Sequence, residues 1–388
     1  MRSGSFGTSA SALYAVLGTH SASANQKTRD YSRVIALAPG FSDNRHRAAS
    51  NSTAFEAPYV EVCGHGWQRA TDEPSIVIQK YSDSPGEAIS KAVTALTQSP
   101  IEKKRALGFY LQAANAGWAE LEAFSKQYPE WHGDETYSKK YTEISDRYYS
   151  SVSPELIKLA ETTNDPDVYA MAFHQCQKKK AAGCSNVTAE QWAKLDPDNA
   201  VPWLAIAGGA IQRKDAVAGD AALEKFASLP KLNSRKPPLA DVLQSEQIQS
   251  LAPMTKANVG FNLMATNGSL MLYDLGRFGK YCGLEFASSD KRKEICGLVA
   301  NRFADQDEDW VTKMMGRNIG ERAGWSKSRT GAIKAEFEEY ISLAIEEVSD
   351  PKMLSCDGLT RLNERAIDML KLSEIGAFRK KWLQKNHD

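Results

Sequence analysis

Apolar residues recur at every third or fourth position from residue 84 onward, which is the spacing of one face of an α-helix. Ser84 followed by Pro85 is typical of a helix start, because Ser caps the first turn and Pro needs no amide partner there. Ser153 before Pro154 repeats that signal. The pattern therefore predicts an all-α protein over residues 84–388.

Beyond residue 133 the same spacing predicts a series of separate helices. They cover Glu135–Ser150, Pro154–Thr162, Asp241–Leu251, Lys256–Leu275, Asp290–Ala304, Glu308–Gly320, Ser328–Val348 and Leu359–Leu383. The last six of these follow a Pro- and Lys-rich stretch at residues 233–239, which we interpret as a linker. We predict a helical-repeat region at residues 84–232 and a helical bundle at residues 240–388.

The N-terminal part lacks this helical spacing. Residues 56–83 are expected to form a short extended arm or hairpin around the segment Cys63–Trp67. Its strand-like residues are Tyr59, Val60, Val62, Trp67, Ile76, Val77 and Ile78. Residues 1–55 are rich in Ser, Ala, Asn and Gly, and Ala22–Ala24 has the small-residue form of an export-signal cleavage site. The alternative is a Ser- and Ala-rich tail without a targeting function.

A weak internal repeat lies in the middle of the chain. The segments Asp165–Asp167 and Asp196–Asp198 both read Asp-Pro-Asp and begin 31 residues apart, close to the period of stacked helix hairpins. With Trp203 and Pro230, the second segment resembles a degenerate tetratricopeptide repeat, and Cys176–Cys184 resembles the clamped hairpins of Sel1-like repeats. This resemblance covers residues 165–230 and implies stacked helix hairpins. The chain as a whole is similar to exported proteobacterial proteins, which implies no mechanism.

Composition and charge narrow the class of protein. Apolar residues make up 42% and charged residues 25%, which is typical of a globular chain. Lys and Arg total 48, as do Asp and Glu, so no overall charge attracts nucleic acid or an anionic membrane. No apolar run approaches the ~18 residues of a membrane span. We therefore expect another protein as the partner.

The cysteines bear on the cellular compartment. They form an even set of six, with no CxxC pair of the kind that binds zinc or shuttles electrons. Proximity favours the pairs Cys176–Cys184 and Cys282–Cys296, which leaves Cys63 with Cys356. A fully paired set predicts a periplasmic or secreted protein. The alternative is a cytoplasmic protein with six buried free thiols.

Three histidines are weak catalytic candidates. His65 lies between two glycines beside Trp67, and the alternative for it is a turn anchored by a disulfide. His132 stands among acidic residues in a polar break between helices. His174 precedes Cys176 by two residues and could activate it as a nucleophile only if that thiol were free. No metal or cofactor site is predicted.

Asp305, Asp307 and Asp309 alternate like the first ligands of a calcium-binding EF-hand loop. Trp310 occupies the position at which that loop needs Gly, so an acidic helix start is the better interpretation. No GxSxG, Walker A or GxGxxG motif is present. The leading hypothesis is therefore a non-catalytic interaction or scaffold protein of the bacterial cell envelope. The alternatives are a helical hydrolase or lyase acting on an envelope polymer, and an immunity or inhibitor protein for a secreted toxin.

Overall fold

The computed structural model describes residues 59–69, 74–127, 139–140, 143–144, 152–177, 183–268, 275–283, 289–348, 350 and 352–387. The signal-like segment at residues 1–55, most of the helix expected over Glu135–Ser150, and His132 lie outside the described residues. Within them, the fold is all-α with one small sheet, as the sequence predicts.

The sheet is an antiparallel hairpin of two strands, β1 (Tyr59–Val62) and β2 (Gly66–Arg69). Gly64 and Gly66 in its turn have φ values of 78° and 72°, which a residue with a side chain rarely adopts. The side chain of Val62 is buried. The backbone amide of the next residue, Cys63, donates a hydrogen bond to the Leu354 carbonyl at 3.0 Å. The hairpin is thereby fixed to the C-terminal part of the chain.

One part of the expected arm is wrong. Ile76, Val77 and Ile78 belong to a helix, α1 (Pro74–Tyr81), and not to a strand. A short run of apolar residues fits either structure, and Pro74 at the first helical position favours the helix. Val77 and Ile78 are buried against the hairpin in a small apolar cluster.

The next helices begin where the capping residues predict. The Ser84 hydroxyl accepts a hydrogen bond from the Glu87 amide, and the Ser153 hydroxyl accepts one from the Leu156 amide. These helices are α2 (Pro85–Thr97), α3 (Glu102–Gln127), α4 (Pro154–Ala160), α5 (Pro166–Cys176), α6 (Ala189–Leu195), α7 (Val201–Gln212) and α8 (Ala216–Ser228). A short 3-10 turn at Cys184–Asn186 separates α5 from α6.

The C-terminal half is also helical. Its helices are α9 (Leu239–Leu243), α10 (Glu246–Gln249), α11 (Pro253–Gly268), α12 (Leu275–Tyr281), α13 (Asp290–Asp305), α14 (Trp310–Arg322), α15 (Lys327–Val348) and α16 (Cys356–His387). The helix expected over Lys256–Leu275 begins three residues earlier, at Pro253, and is described as far as Gly268, while residues 269–274 lie outside the described residues. Ser373 interrupts α16 with non-helical backbone angles, φ 75° and ψ 172°.

One hydrophobic core crosses the predicted linker. It contains Leu204 and Phe226 before residues 233–239 as well as Phe303 and Ala366 after them. The rings of Phe226 and Phe303 meet edge to face at 5.6 Å between centroids. The division into a helical-repeat region at residues 84–232 and a bundle at residues 240–388 stays a prediction.

Three disulfides connect the cysteines in the pairs that the sequence predicts. They are Cys63–Cys356, Cys176–Cys184 and Cys282–Cys296, with Cα separations of 4.7, 5.3 and 5.7 Å. The first joins residues 293 positions apart and attaches the hairpin to the start of α16. No free cysteine is present among the described residues.

Candidate functional site

A polar cleft of about 590 Å³ lies beside the irregular segment that links α8 to α9. We call this segment, residues 229–238, the connector. Its residues 232–236 line the cleft together with Lys103, Asp167, residues 305–308 and residues 369–373. The cleft thus gathers residues from the first helices, the middle of the chain and the kink of α16. Its volume is within the range of about 300–1,000 Å³ that is usual for ligand sites.

Arg235 forms the ionic centre of the connector. Its Nη1 lies 2.5 Å from Asp167 Oδ1, and its Nε lies 2.5 Å from Asp196 Oδ2. Lys103 Nζ lies 2.5 Å from the second oxygen of Asp167. Burial alone would raise the pKa of Asp167, but hydrogen bonds from Lys103 and Arg235 outweigh it and lower that pKa below its usual value. Both carboxylates are therefore ionised and committed to internal ion pairs.

Asparagine side chains hold the connector in this position. Asn199 is buried, and it accepts a hydrogen bond from the Asn233 amide at 3.1 Å while donating one to the Asn233 carbonyl at 2.8 Å. Asn233 Oδ1 in turn accepts a hydrogen bond from the Arg235 amide at 2.8 Å. Arg235 has a φ of 48°, in the left-handed region, and the asparagine bonds hold it there. Its guanidinium is directed at the carboxylates by this local backbone geometry.

Ser234 is buried between a histidine and a glutamate. Its amide and hydroxyl donate hydrogen bonds to the two Glu308 carboxylate oxygens at 3.2 and 2.6 Å, and its carbonyl lies 2.8 Å from His174 Nε2. Burial, with a smaller contribution from the positive charge of Lys236, lowers the pKa of His174 to about 4. The neutral ring therefore donates its Nε2 proton to the Ser234 carbonyl near neutral pH. This arrangement fastens the connector on its inner side.

The kink of α16 closes the opposite side of the cleft. The Ser373 hydroxyl donates a hydrogen bond to the Asp307 carbonyl at 2.5 Å, and the Glu374 amide donates one to the Glu308 carbonyl at 3.1 Å. The Glu374 carboxylate accepts hydrogen bonds from the Trp310 amide at 3.2 Å and the Tyr340 hydroxyl at 2.7 Å. Burial raises the pKa of Glu374 despite these bonds. Side chain and backbone thus hold the kink against the start of α14.

The remaining acidic residues of the cleft have cationic partners. Asp305 lies 3.3 Å from Arg329 Nη2, and Asp307 lies 2.7 Å from Arg379 Nη1. Both arginines stand outside the cleft lining, and Arg379 also pairs with Glu336 at 3.1 Å. Asp309, next in the alternating series, instead accepts the Thr312 amide hydrogen bond that starts α14. This is the acidic helix start that the sequence favours over a calcium loop.

Three cations in the cleft take part in no ion pair with the described residues. They are Lys236, Arg302 and Lys371. Arg302 Nη2 donates to the Leu229 and Pro230 carbonyls at 2.9 and 3.3 Å, which are neutral acceptors. Arg302 Nε is buried and has no hydrogen-bond partner in the described part of the chain. The cleft is left with an excess of positive charge.

The predicted catalytic histidines do not come together here. His174 stands behind the connector and bonds to its backbone. His65 is exposed in the hairpin turn, where its ring lies 4.3 Å from that of Tyr81. Cys176 is joined to Cys184, so it has no thiol for His174 to activate. The hypothesis of a Cys/His nucleophile is therefore wrong.

Sequence reasoning missed Arg235, Ser234 and Ser373 as residues of the site. One signal was available, since Arg235 stands in a dense polar linker that follows the two Asp-Pro-Asp segments. Both of those segments supply a carboxylate to Arg235, one through Asp167 and the other through Asp196. Nothing in the sequence marks Ser373 as the end of a helical run.

Searches of protein-family models, curated proteins and solved structures returned no match to this chain. Within the described residues, no group of three or more His, Cys, Asp and Glu side chains is arranged to hold a metal ion. None of the helices in the described part combines the length and apolar composition of a membrane span. The function is therefore argued from the cleft itself.

Proposed function

We propose that this protein is a non-catalytic interaction protein of the bacterial cell envelope, and that it holds a partner protein in the cleft beside the connector. The observation that carries the proposal is the excess of positive charge in a cleft whose lining also includes the exposed apolar residue Leu372. Leu372 exposes 46% of its surface although it is a large apolar residue. Cations and an exposed apolar anchor in one concavity are the ordinary components of a protein-binding site.

The chemistry of the acidic residues supports binding over acid–base catalysis. Asp167 and Asp196 have lowered pKa values because hydrogen bonds from Arg235 and its neighbours outweigh burial, and their oxygens are taken up by those bonds. Glu308 accepts two hydrogen bonds from Ser234. A general base needs an accessible oxygen or nitrogen at a reactive distance from the substrate. The carboxylates here stabilise the walls of the site.

The disulfides support an oxidising compartment, which for a bacterial protein means the periplasm or the exterior. We expect cell fractionation to recover the protein outside the cytoplasm with every cysteine protected from a thiol-reactive mass tag until reduction. Recovery in the cytoplasm with reactive thiols would contradict this part of the proposal.

Photo-crosslinking tests the interaction through the cleft. A photoreactive amino acid replacing Leu372 is expected to capture a discrete partner protein from envelope extracts. Val217 provides the matched control, because it is 82% exposed and lies outside the cleft lining. Circular dichroism should show both variants equally folded. Adducts of the same pattern and yield from the two positions would contradict the proposal.

A further inference from the structure

The charges of the cleft do not cancel. Asp167 and Asp196 are matched by Lys103 and Arg235, while Asp305 and Asp307 are matched by Arg329 and Arg379. Glu308, which bonds to neutral Ser234, is the remaining carboxylate of the lining. Against it stand Lys236, Arg302 and Lys371. Together with Lys103 and Arg235, the lining has five cations and four carboxylates, so one positive charge is left over.

The three cations stand on different walls of the cleft. Lys236 belongs to the connector, Arg302 to α13 and Lys371 to the end of the first run of α16. Hydrogen bonds hold the backbone near these cations in place. Asn199 bonds to the connector, which carries Lys236, and Ser373, two residues after Lys371, bonds to the Asp307 carbonyl. The backbone that carries these cations is thus held around one concavity before any ligand arrives, which reduces the entropic cost of binding.

Apolar side chains line the same cleft as these cations. They belong to Leu232, Met369 and Leu372, and Leu372 is exposed. A free inorganic anion would use the cations and leave this apolar surface in water. A chain that carries both carboxylates and apolar side chains would cover both. The lining therefore matches an acidic peptide better than a phosphate.

From this match, and resting on the function proposed above, we infer that the cleft recognises an acidic segment of its partner protein in which Asp or Glu residues alternate with apolar ones. The carboxylates of that segment bind Lys236, Arg302 and Lys371, and an apolar side chain covers Leu372. Because the cations are partly exposed, the interaction weakens as salt concentration rises.

Fluorescence anisotropy with labelled peptides tests this inference on the full disulfide-bonded protein. We expect a short peptide alternating Glu and Leu to bind, and the same peptide with Gln for Glu to bind at least about tenfold more weakly. The double variant Lys236→Gln/Lys371→Gln should also lose about tenfold, since each exposed ion pair contributes up to about fivefold.

The matched control is Lys225→Gln/Lys352→Gln. It removes the same charge from two exposed lysines outside the cleft lining, so binding of the Glu/Leu peptide should not change. Equal loss in both double variants would show a nonspecific charge effect and overturn the inference. So would equal affinity for the Glu and Gln peptides. Binding of inorganic phosphate or citrate that depends on Lys236 and Lys371, without binding of the peptide, would reassign the cleft to a free anion.

The crosslinking variant separates this inference from the proposed function. If the residue replacing Leu372 captures a partner equally well with and without Lys236→Gln/Lys371→Gln, the protein interaction stands and its acidic chemistry is wrong. If the peptide binds as described but position 372 captures no envelope protein, the anionic recognition stands and the proposed function is wrong.

Discussion

Arg235 joins two parts of the chain through carboxylates that have little access to water. Removing its guanidinium leaves Asp196, whose side chain is 7% exposed, without an ion-pair partner among the described residues. We expect Arg235→Ala to lower the free energy of unfolding by about 2–4 kcal/mol, because an uncompensated buried charge is costly. Urea denaturation measures this change.

Lys231→Ala is the control for that substitution. It breaks an ion pair with Asp198 in which the two side chains are 61% and 62% exposed, so it should cost less than about 1 kcal/mol. Similar losses in the two variants would mean that Arg235 is not the ionic centre described above.

His174 and Glu374 make stability depend on pH in opposite directions. Burial lowers the pKa of His174 to about 4, below its ordinary value near 6.5. Between these two pH values the unfolded chain binds a proton at His174 and the folded protein does not. The contribution of His174 to the free energy of unfolding is present above the ordinary pKa. It is lost, by up to about 3 kcal/mol, as the pH falls from that value to the folded-state pKa. Burial raises the pKa of Glu374, so its contribution is instead lost as pH rises through the folded-state value.

Two variants separate these effects in denaturation series at several pH values. The stability difference between wild type and His174→Gln should increase with pH in the acidic range, whereas the difference between wild type and Glu374→Gln should decrease. If both differences changed in the same direction with pH, the burial described for either His174 or Glu374 would be wrong.

At the scale of the elements, the disulfides differ in the length of chain that they close. Cys63–Cys356 spans 293 positions and Cys176–Cys184 spans 8. In the chain-entropy account, Cys63→Ser/Cys356→Ser should cost about 5 kcal/mol and Cys176→Ser/Cys184→Ser about 2–3 kcal/mol. Chemical denaturation of both double variants measures the difference. An equal or reversed order would contradict the entropic account for this fold.

The helices were largely predictable because their signals are local. Ser84 and Ser153 cap the helices that the sequence assigned to them, since capping depends only on the next three residues. Ile76–Ile78 was misassigned because β-branched residues in a short apolar run satisfy strand and helix patterns alike. The break at Ser373 was missed because it arises from tertiary bonds to the Asp307 and Glu308 backbone.

At the scale of the whole molecule, the cysteine pairs could be predicted but the cleft could not. Two pairs are close in sequence, so the third followed by elimination. Arg235 instead meets Asp167 and Asp196 across 68 and 39 positions, with many other carboxylates available. Only the packing of α5, the turn between α6 and α7, and the connector selects those partners. The surplus positive charge is visible only after each acidic residue has been matched to its partner in space.

The proposed function depends most on binding of the partner in the cleft. Hydrogen–deuterium exchange of the full protein, with and without the Glu/Leu peptide, tests it directly. We expect slower exchange on binding in residues 229–238 and residues 369–376, and unchanged exchange in the hairpin of β1 and β2. Slower exchange confined to the hairpin, with the connector unaffected, would contradict it.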